Sequence, residues 1–177
     1  MEGLPPELPR FVLIVAPHTS NWDFPVCILA MFAVRLHLSW LGKHSLFRFP
    51  VAGLLRWLGG EPVQRGVRQG MVEVAIATFQ TRSQWVFGVA PEGTRRPAPE
   101  WKTGFLRAAA GAGVPVVPVT LDWSRHVLSI LPPVPTSADP EADLLRLRRL
   151  YRSSMARKPA AFIEPPAGPM EPGSPPG

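Results

Sequence analysis

Cysteine is nearly missing from this 177-residue chain, where Cys27 stands alone. A lone thiol excludes an internal disulfide framework and any structural zinc site built on cysteine. The four histidines, His18, His37, His44 and His126, lack zinc-ligand spacing, so no metal is expected; His37, His44 and His126 read as solvated or structurally hydrogen-bonded. Long hydrophobic runs are missing too. The longest, residues 24–34, holds 11 residues, whereas a bilayer span needs ~20. The opening MEGLPPELPR has no charged region followed by an apolar core, so no secretory signal is visible. The expected location is the cytoplasm, with attachment at most to the inner face of the cell membrane.

Nucleotide-binding and hydrolase signatures are lacking as well. No Gly-x-Gly-x-x-Gly opens a helix, there is no P-loop, and no Gly-x-Ser-x-Gly elbow occurs. Lysine is scarce: of 19 basic residues only Lys43, Lys102 and Lys158 are lysines, and the net charge is +6. Guanidinium forks suit phosphate and carboxylate, although codon bias accounts for an arginine surplus equally well.

What is present is a globular composition, 46% hydrophobic and 18% charged, at a length that suits one domain and buries its own core. Continuous apolar runs at residues 11–16 and 85–90 read as strands buried on both faces. Residues 24–35 follow several N-cap candidates and read as a helix, with 24–34 expected in the core. Residues 36–41 suggest a second strand, 45–58 short helical pieces closed by Gly59-Gly60, and 61–64 a short extended segment. Helices are expected at 67–82 and 103–112. Residues 114–121 are extended, and Pro115 and Pro118 argue for an edge or irregular strand. Asp139-Pro140-Glu141 starts a last helix that keeps Leu144, Leu147, Tyr151 and Met155 on one face. This alternation predicts an α/β fold, a single-domain layered sheet with flanking helices. The domain is expected over 1–158. Residues 159–177, with seven Pro and three Gly, read as a disordered tail.

Two constellations carry chemistry. His18-Thr19-Ser20-Asn21-Trp22-Asp23 follows the first strand, where an α/β sheet opens its ligand crevice. Five helical steps rotate about 140°, so His18 and Asp23 cannot share one face of a regular helix. With His18 in the turn and Asp23 in the first helical turn, the carboxylate reaches one imidazole nitrogen and leaves the other to act as a base. Ser20-x-x-Asp23 is equally a capping box, in which Asp23 does nothing but cap. The second constellation, Pro91-Glu92-Gly93-Thr94-Arg95, follows another buried strand and should open on the same rim. Gly93 admits close backbone approach and Arg95 supplies an anion fork; alternatively Glu92 and Arg95 merely pair at the surface.

With these two motifs in this order, the chain resembles the glycerolipid acyltransferases, the family of 1-acylglycerol-3-phosphate acyltransferases, and in particular its small bacterial branch. His18-x4-Asp23 is similar to the family's first motif and Pro91–Arg95 to its third. Residues 59–65, Gly59-Gly60-Glu61-Pro62-Val63-Gln64-Arg65, resemble the second, and the Val-Pro-rich residues 114–119 the fourth. Pro17 stands where members often have Asn, and Gln64 where an acidic residue is frequent.

The resemblance implies an acyltransferase-like fold. It implies that His18 deprotonates an acceptor hydroxyl, oriented by Asp23, for attack on the thioester of acyl-CoA or acyl carrier protein. No further cofactor is implied. Lys43, Arg65, Glu92, Gly93, Thr94 and Arg95 would hold the acceptor, a lysophospholipid. An imidazole of ordinary pKa, ~6.5, is a usable base at neutral pH.

Peripheral contact with an anionic membrane is expected. Its candidates are the apolar residues 24–40, the aromatics Trp40, Phe47, Phe49 and Trp57, and a basic last helix bearing Arg146, Arg148, Arg149, Arg152, Arg157 and Lys158. The rival reading is a non-catalytic basic module that binds anionic lipid or nucleic acid. No nucleic-acid-binding motif accompanies the charge, so nucleic acid is not the expected partner.

Overall fold

A computed structural model describes residues 8–63 and 68–166. Five parallel strands and one antiparallel strand form a single sheet of order β3-β2-β4-β1-β5-β6. In chain order these are β1 (Arg10–Ala16), β2 (Ser39–Lys43), β3 (Gly60–Val63), β4 (Trp85–Val89), β5 (Val116–Asp122) and β6 (Val127–Ile130). The helices are α1 (Asp23–Ala33), α2 (Ala52–Trp57), α3 (Arg68–Thr81), α4 (Gly104–Ala112) and α5 (Pro140–Arg148), so the expected α/β layering is present.

The apolar runs form the central strands because both faces of the sheet are covered. Alternate side chains of β1 enter two different cores. Val12 and Ile14 pack with Phe79, Phe105, Ala109 and Leu147 of α3, α4 and α5. Phe11 and Leu13 pack with Ala30 and Met31 of α1. Gly59 starts the second of the expected motifs at φ +81°, where a Cβ would lie 2.0 Å from the Leu38 carbonyl oxygen, so only glycine fits.

Four expectations are corrected. β5 is an interior strand between β1 and β6 and buried along its whole length, despite its prolines. The Pro118 carbonyl accepts from Leu131 N–H at 2.8 Å, so its ring nitrogen faces the β6 side as well, and the missing N–H takes no bond from the pairing with β1. β6 itself was not expected. It follows a turn in which Asp122 Oδ1 accepts from the Ser124 and Arg125 backbone N–H groups at 3.0 and 3.1 Å and His126 takes φ 56°.

The last helix stops at Arg148, so Arg149, Arg152, Arg157 and Lys158 are not on it, and Tyr151 is buried beyond its end. The fold also runs past residue 158. Pro159–Ala161 form a 3-10 turn, and Phe162 is buried in the α3–α4–α5 core. Residues 167–177 of the expected tail lie outside the described residues. Lastly, α1 is only partly a core helix: Asp23, Ala30 and Met31 are buried, while Leu29 and Phe32 are exposed.

Candidate active site

β1 and β4 are parallel neighbours with Ile14 opposite Val89, so the segments that follow them leave the sheet side by side at one rim. From the first comes His18, from the second Glu92. The Glu92 carboxylate is only 3% exposed, and its Oε1 accepts the backbone N–H of His18 at 2.8 Å. Burial raises the Glu92 pKa above the usual carboxylate range, and the nearby Asp23 charge adds to this, against the opposing pull of the His18 N–H and imidazole. Glu92 therefore faces inward and fixes the loop that carries His18. The surface pair with Arg95 is not formed: among the described residues the ion pairs are His18–Asp23 and Asp143–Arg146.

Asp23 opens α1 and is fully buried. Its Oδ2 lies 3.4 Å from His18 Nδ1 and accepts Ser20 N–H at 2.7 Å; its Oδ1 accepts Trp123 Nε1–H at 2.9 Å. Ser20 Oγ in turn accepts Trp22 N–H at 3.2 Å. One carboxylate thus makes its half of the capping box and also meets the histidine, while the serine half is absent, because Ser20 Oγ takes Trp22 N–H and the helix cap position, Trp22, has no side-chain bond. Burial alone would raise the Asp23 pKa; the bonds from His18, Ser20 and Trp123, together with the imidazole charge, outweigh it and hold the group below its ordinary value. Asp23 stays anionic, and with Nδ1 on this carboxylate the His18 ring leaves Nε2 for a substrate.

The Glu92–Gly93 turn is closed by Gly93 N–H on the Ala90 carbonyl at 3.0 Å and by Lys102 N–H on the Pro91 carbonyl at 2.8 Å. Gly93 sits at φ 65°, and a Cβ there would meet Lys102 Cγ at 3.4 Å, so the lysine stem lies across the turn. Thr94 Oγ1 accepts Arg96 N–H at 3.2 Å, and Arg95 is exposed to solvent. Lys43 ends β2, whose C-terminal end faces the same rim. Arg65 lies outside the described residues.

Sequence reading missed three contributors. Trp123 follows β5 and donates to Asp23. The Arg157 guanidinium lies 5.5 Å from the Trp22 ring centroid and 4.8 Å from that of Trp123, and Lys158 N–H donates to Thr19 Oγ1 at 3.2 Å. Trp123 N–H donates to the Met155 carbonyl at 2.8 Å, so the C-terminal segment is tied down beside the site. An indole next to a strand end was the one signal available, and without the strand order it pointed nowhere.

A cavity of about 730 Å³ lies away from this rim, at the N-terminal ends of β1, β2 and β4, lined by Met31, Phe32, Leu36, Trp57 and Trp85 with Arg35 and Arg82. It lies at the opposite end of the strands from His18. Among the described residues no cluster of three or more His, Cys, Asp or Glu is arranged to hold a metal ion, and no helix is long and apolar enough to cross a membrane.

The family model described as Acyltransferase matches residues 5–122. The 1-acyl-sn-glycerol-3-phosphate acyltransferase of Escherichia coli (strain K12) is 30% identical, covering 82% of this chain and 66% of its own length. That of Haemophilus influenzae (strain ATCC 51907 / DSM 11121 / KW20 / Rd) is 27% identical over 67% of this chain and 50% of its own. The crystal structure of the 1-acyl-sn-glycerophosphate (LPA) acyltransferase, PlsC, from Thermotoga maritima matches with a TM-score of 0.58 and 25% identity, over 80% of this chain and 62% of that one. The chain thus spans 66% or less of the length of these relatives. With its two loop motifs meeting at His18 and its matched region running from residue 5 to 122, the chain belongs to the Acyltransferase family.

Proposed function

We propose that the protein is an O-acyltransferase that moves a fatty acyl group from acyl-CoA or acyl carrier protein to the hydroxyl of a lysophospholipid such as 1-acylglycerol-3-phosphate. It works in the cytoplasm, at the inner face of an anionic membrane. The observation that carries the reading is the His18–Asp23 pair, 3.4 Å apart, with Asp23 held by Ser20 and Trp123 and the His18 backbone held by Glu92. Relatives named as 1-acyl-sn-glycerol-3-phosphate acyltransferases support the choice of substrate.

In this reaction His18 Nε2 takes the proton of the acceptor hydroxyl as its oxygen attacks the thioester carbonyl. The tetrahedral intermediate collapses with loss of the thiolate, which recovers the proton from His18; ester and free thiol are the products. Anionic Asp23 stabilises the imidazolium between the two steps and holds the Nδ1–H tautomer. Arg95, Lys43 and Arg65 offer cations to the acceptor phosphate, and the exposed turn at Gly93 lets that phosphate approach the backbone. Glu92 acts through the His18 loop, as a positioning residue.

The test is thiol release from acyl-CoA, and from acyl carrier protein, with lysophosphatidate as acceptor. Transfer that disappears in His18→Ala supports the reading. Full activity in that variant overturns the mechanism, and absence of transfer from any acyl donor overturns the function.

A further inference from the structure

A surface helix buries one stripe and turns polar residues outward. α1 does not. Positions 22, 25, 29 and 32 follow the three-and-four spacing of one helix face, all are exposed, and they are Trp22, Pro25, Leu29 and Phe32. The Phe32 ring lies 5.8 Å from that of Trp57 at the end of α2, so α1 and α2 present one continuous surface. Leu29 is 67% exposed, Phe49 97% and Trp57 72%. Among the described residues, eight of the ten exposed large apolar side chains lie between Trp22 and Trp57; the other two are Val74 and Ile163.

The charge of this surface has one sign. Residues 22–60 contain a single carboxylate, Asp23, which is buried, against Arg35, Lys43, Arg48 and Arg56. Arg35, Arg48 and Arg56 are exposed. A second copy of the chain, related by a two-fold axis, would set these cations against one another with no acid to pair them. Aromatic side chains ringed by arginines fit an interface whose headgroups are phosphates.

Three of the C-terminal basic residues are already engaged with protein. Arg146 donates to Asp143 and the Pro135 carbonyl, Arg148 lies 5.9 Å from the Trp101 ring centroid, and Arg152 donates to the Arg149 carbonyl.

We propose that the α1–α2 face is the surface by which the protein docks on an anionic bilayer. Leu29, Phe32, Phe49 and Trp57 enter the interface, and Arg35, Arg48 and Arg56 meet lipid phosphates. Trp22, at the start of the same stripe, adjoins Asp23, so docking brings the His18 rim to the membrane, where the acceptor resides. The inference rests on the reading above that the acceptor is a membrane lipid.

Vesicle flotation of the full chain tests it, with phosphatidylglycerol/phosphatidylcholine vesicles compared with phosphatidylcholine alone. The wild-type chain is expected to float with the anionic vesicles. Leu29→Ser/Phe49→Ser/Trp57→Ser and Arg48→Glu/Arg56→Glu should each weaken binding about tenfold or more. Arg107→Glu, at an exposed site on α4 across the sheet from α1, should leave binding unchanged, whereas Arg56→Glu makes the same change in net charge on the docking face and should weaken it.

A wild-type chain that stays with the soluble fraction overturns the proposal. So does equal loss in Arg107→Glu and Arg56→Glu, or a dimer in solution that the α1–α2 substitutions dissociate. A readout that needs no variant is quenching of tryptophan fluorescence by brominated lipid, expected from Trp22 and Trp57; its absence also overturns docking. Acylation of a water-soluble short-chain lysophosphatidate, measured without vesicles, reports on the reaction separately, so failure of docking and failure of the acyltransferase reading are told apart.

Discussion

The backbone N–H of His18 donates to Glu92 Oε1 at 2.8 Å, across 74 residues of sequence. This bond joins the two loop motifs into one rim and makes Glu92 a support for the base. Glu92→Gln keeps an acceptor oxygen and is expected to stay within a few-fold of wild-type turnover. Glu92→Ala leaves the N–H without its partner, which costs ~1–3 kcal/mol, and should lower acyl transfer by about tenfold or more. Thermal denaturation and thiol release check the pair of variants, and equal loss in both would contradict the positioning role.

Asp23 and Glu92 set opposite pH slopes. Asp23 has a folded pKa below its unfolded value of ~3.9, so the stability it contributes is present above that value and is lost as pH falls through the folded pKa. Glu92 has a folded pKa above its unfolded value of ~4.3, so stability declines as pH rises from there toward the folded pKa. Melting temperature against pH should have a shallower acid limb in Asp23→Asn, with Asp122 and Glu164 supplying what remains, and a weaker second decline in Glu92→Gln. Asp23→Asn is also expected to reduce turnover by ~10²–10⁴, because an amide cannot hold the Nδ1–H tautomer while satisfying Ser20 and Trp123.

Burial pushes the Cys27 thiol up to about 12, and the Asp23 charge adds to the shift. At pH 8 its thiolate fraction is then on the order of 10³ lower than that of a free thiol. Iodoacetamide should label the native protein slowly and the urea-unfolded protein at the rate of an ordinary cysteine, while Cys27→Ala retains activity. Rapid native labelling would overturn this.

Phe162 is buried in the core beyond the boundary that composition suggests. Phe162→Ala is expected to cost ~3–5 kcal/mol in urea unfolding. A chain cut after Lys158 should lose at least as much, and unchanged stability there would show that the segment contributes nothing.

The two loops of the candidate site were legible in the sequence because their causes are local. Residues 11–16 and 85–90 are apolar throughout, as only strands covered on both faces are, and each runs directly into its motif. The same local logic misled at Pro118, whose ring nitrogen faces away from β1 and so leaves the central pairing intact, and at Tyr151, whose helical spacing continues after the helix has stopped. β6 is four residues long, and its turn is made by Asp122, a signal too slight to read alone.

The sequence by itself determined the candidate groups and their spacing: a histidine in the turn after a buried strand, a carboxylate opening the next helix, a glycine and an arginine in a second turn. Those relations follow from backbone geometry over a few residues. Only the tertiary structure decided that Glu92 points inward to His18, that Trp123 grips Asp23 from 100 residues away, and that α1 turns an apolar stripe to the outside. Each of these depends on which strands are neighbours and which helix face finds a partner, and both are settled by packing across the whole domain.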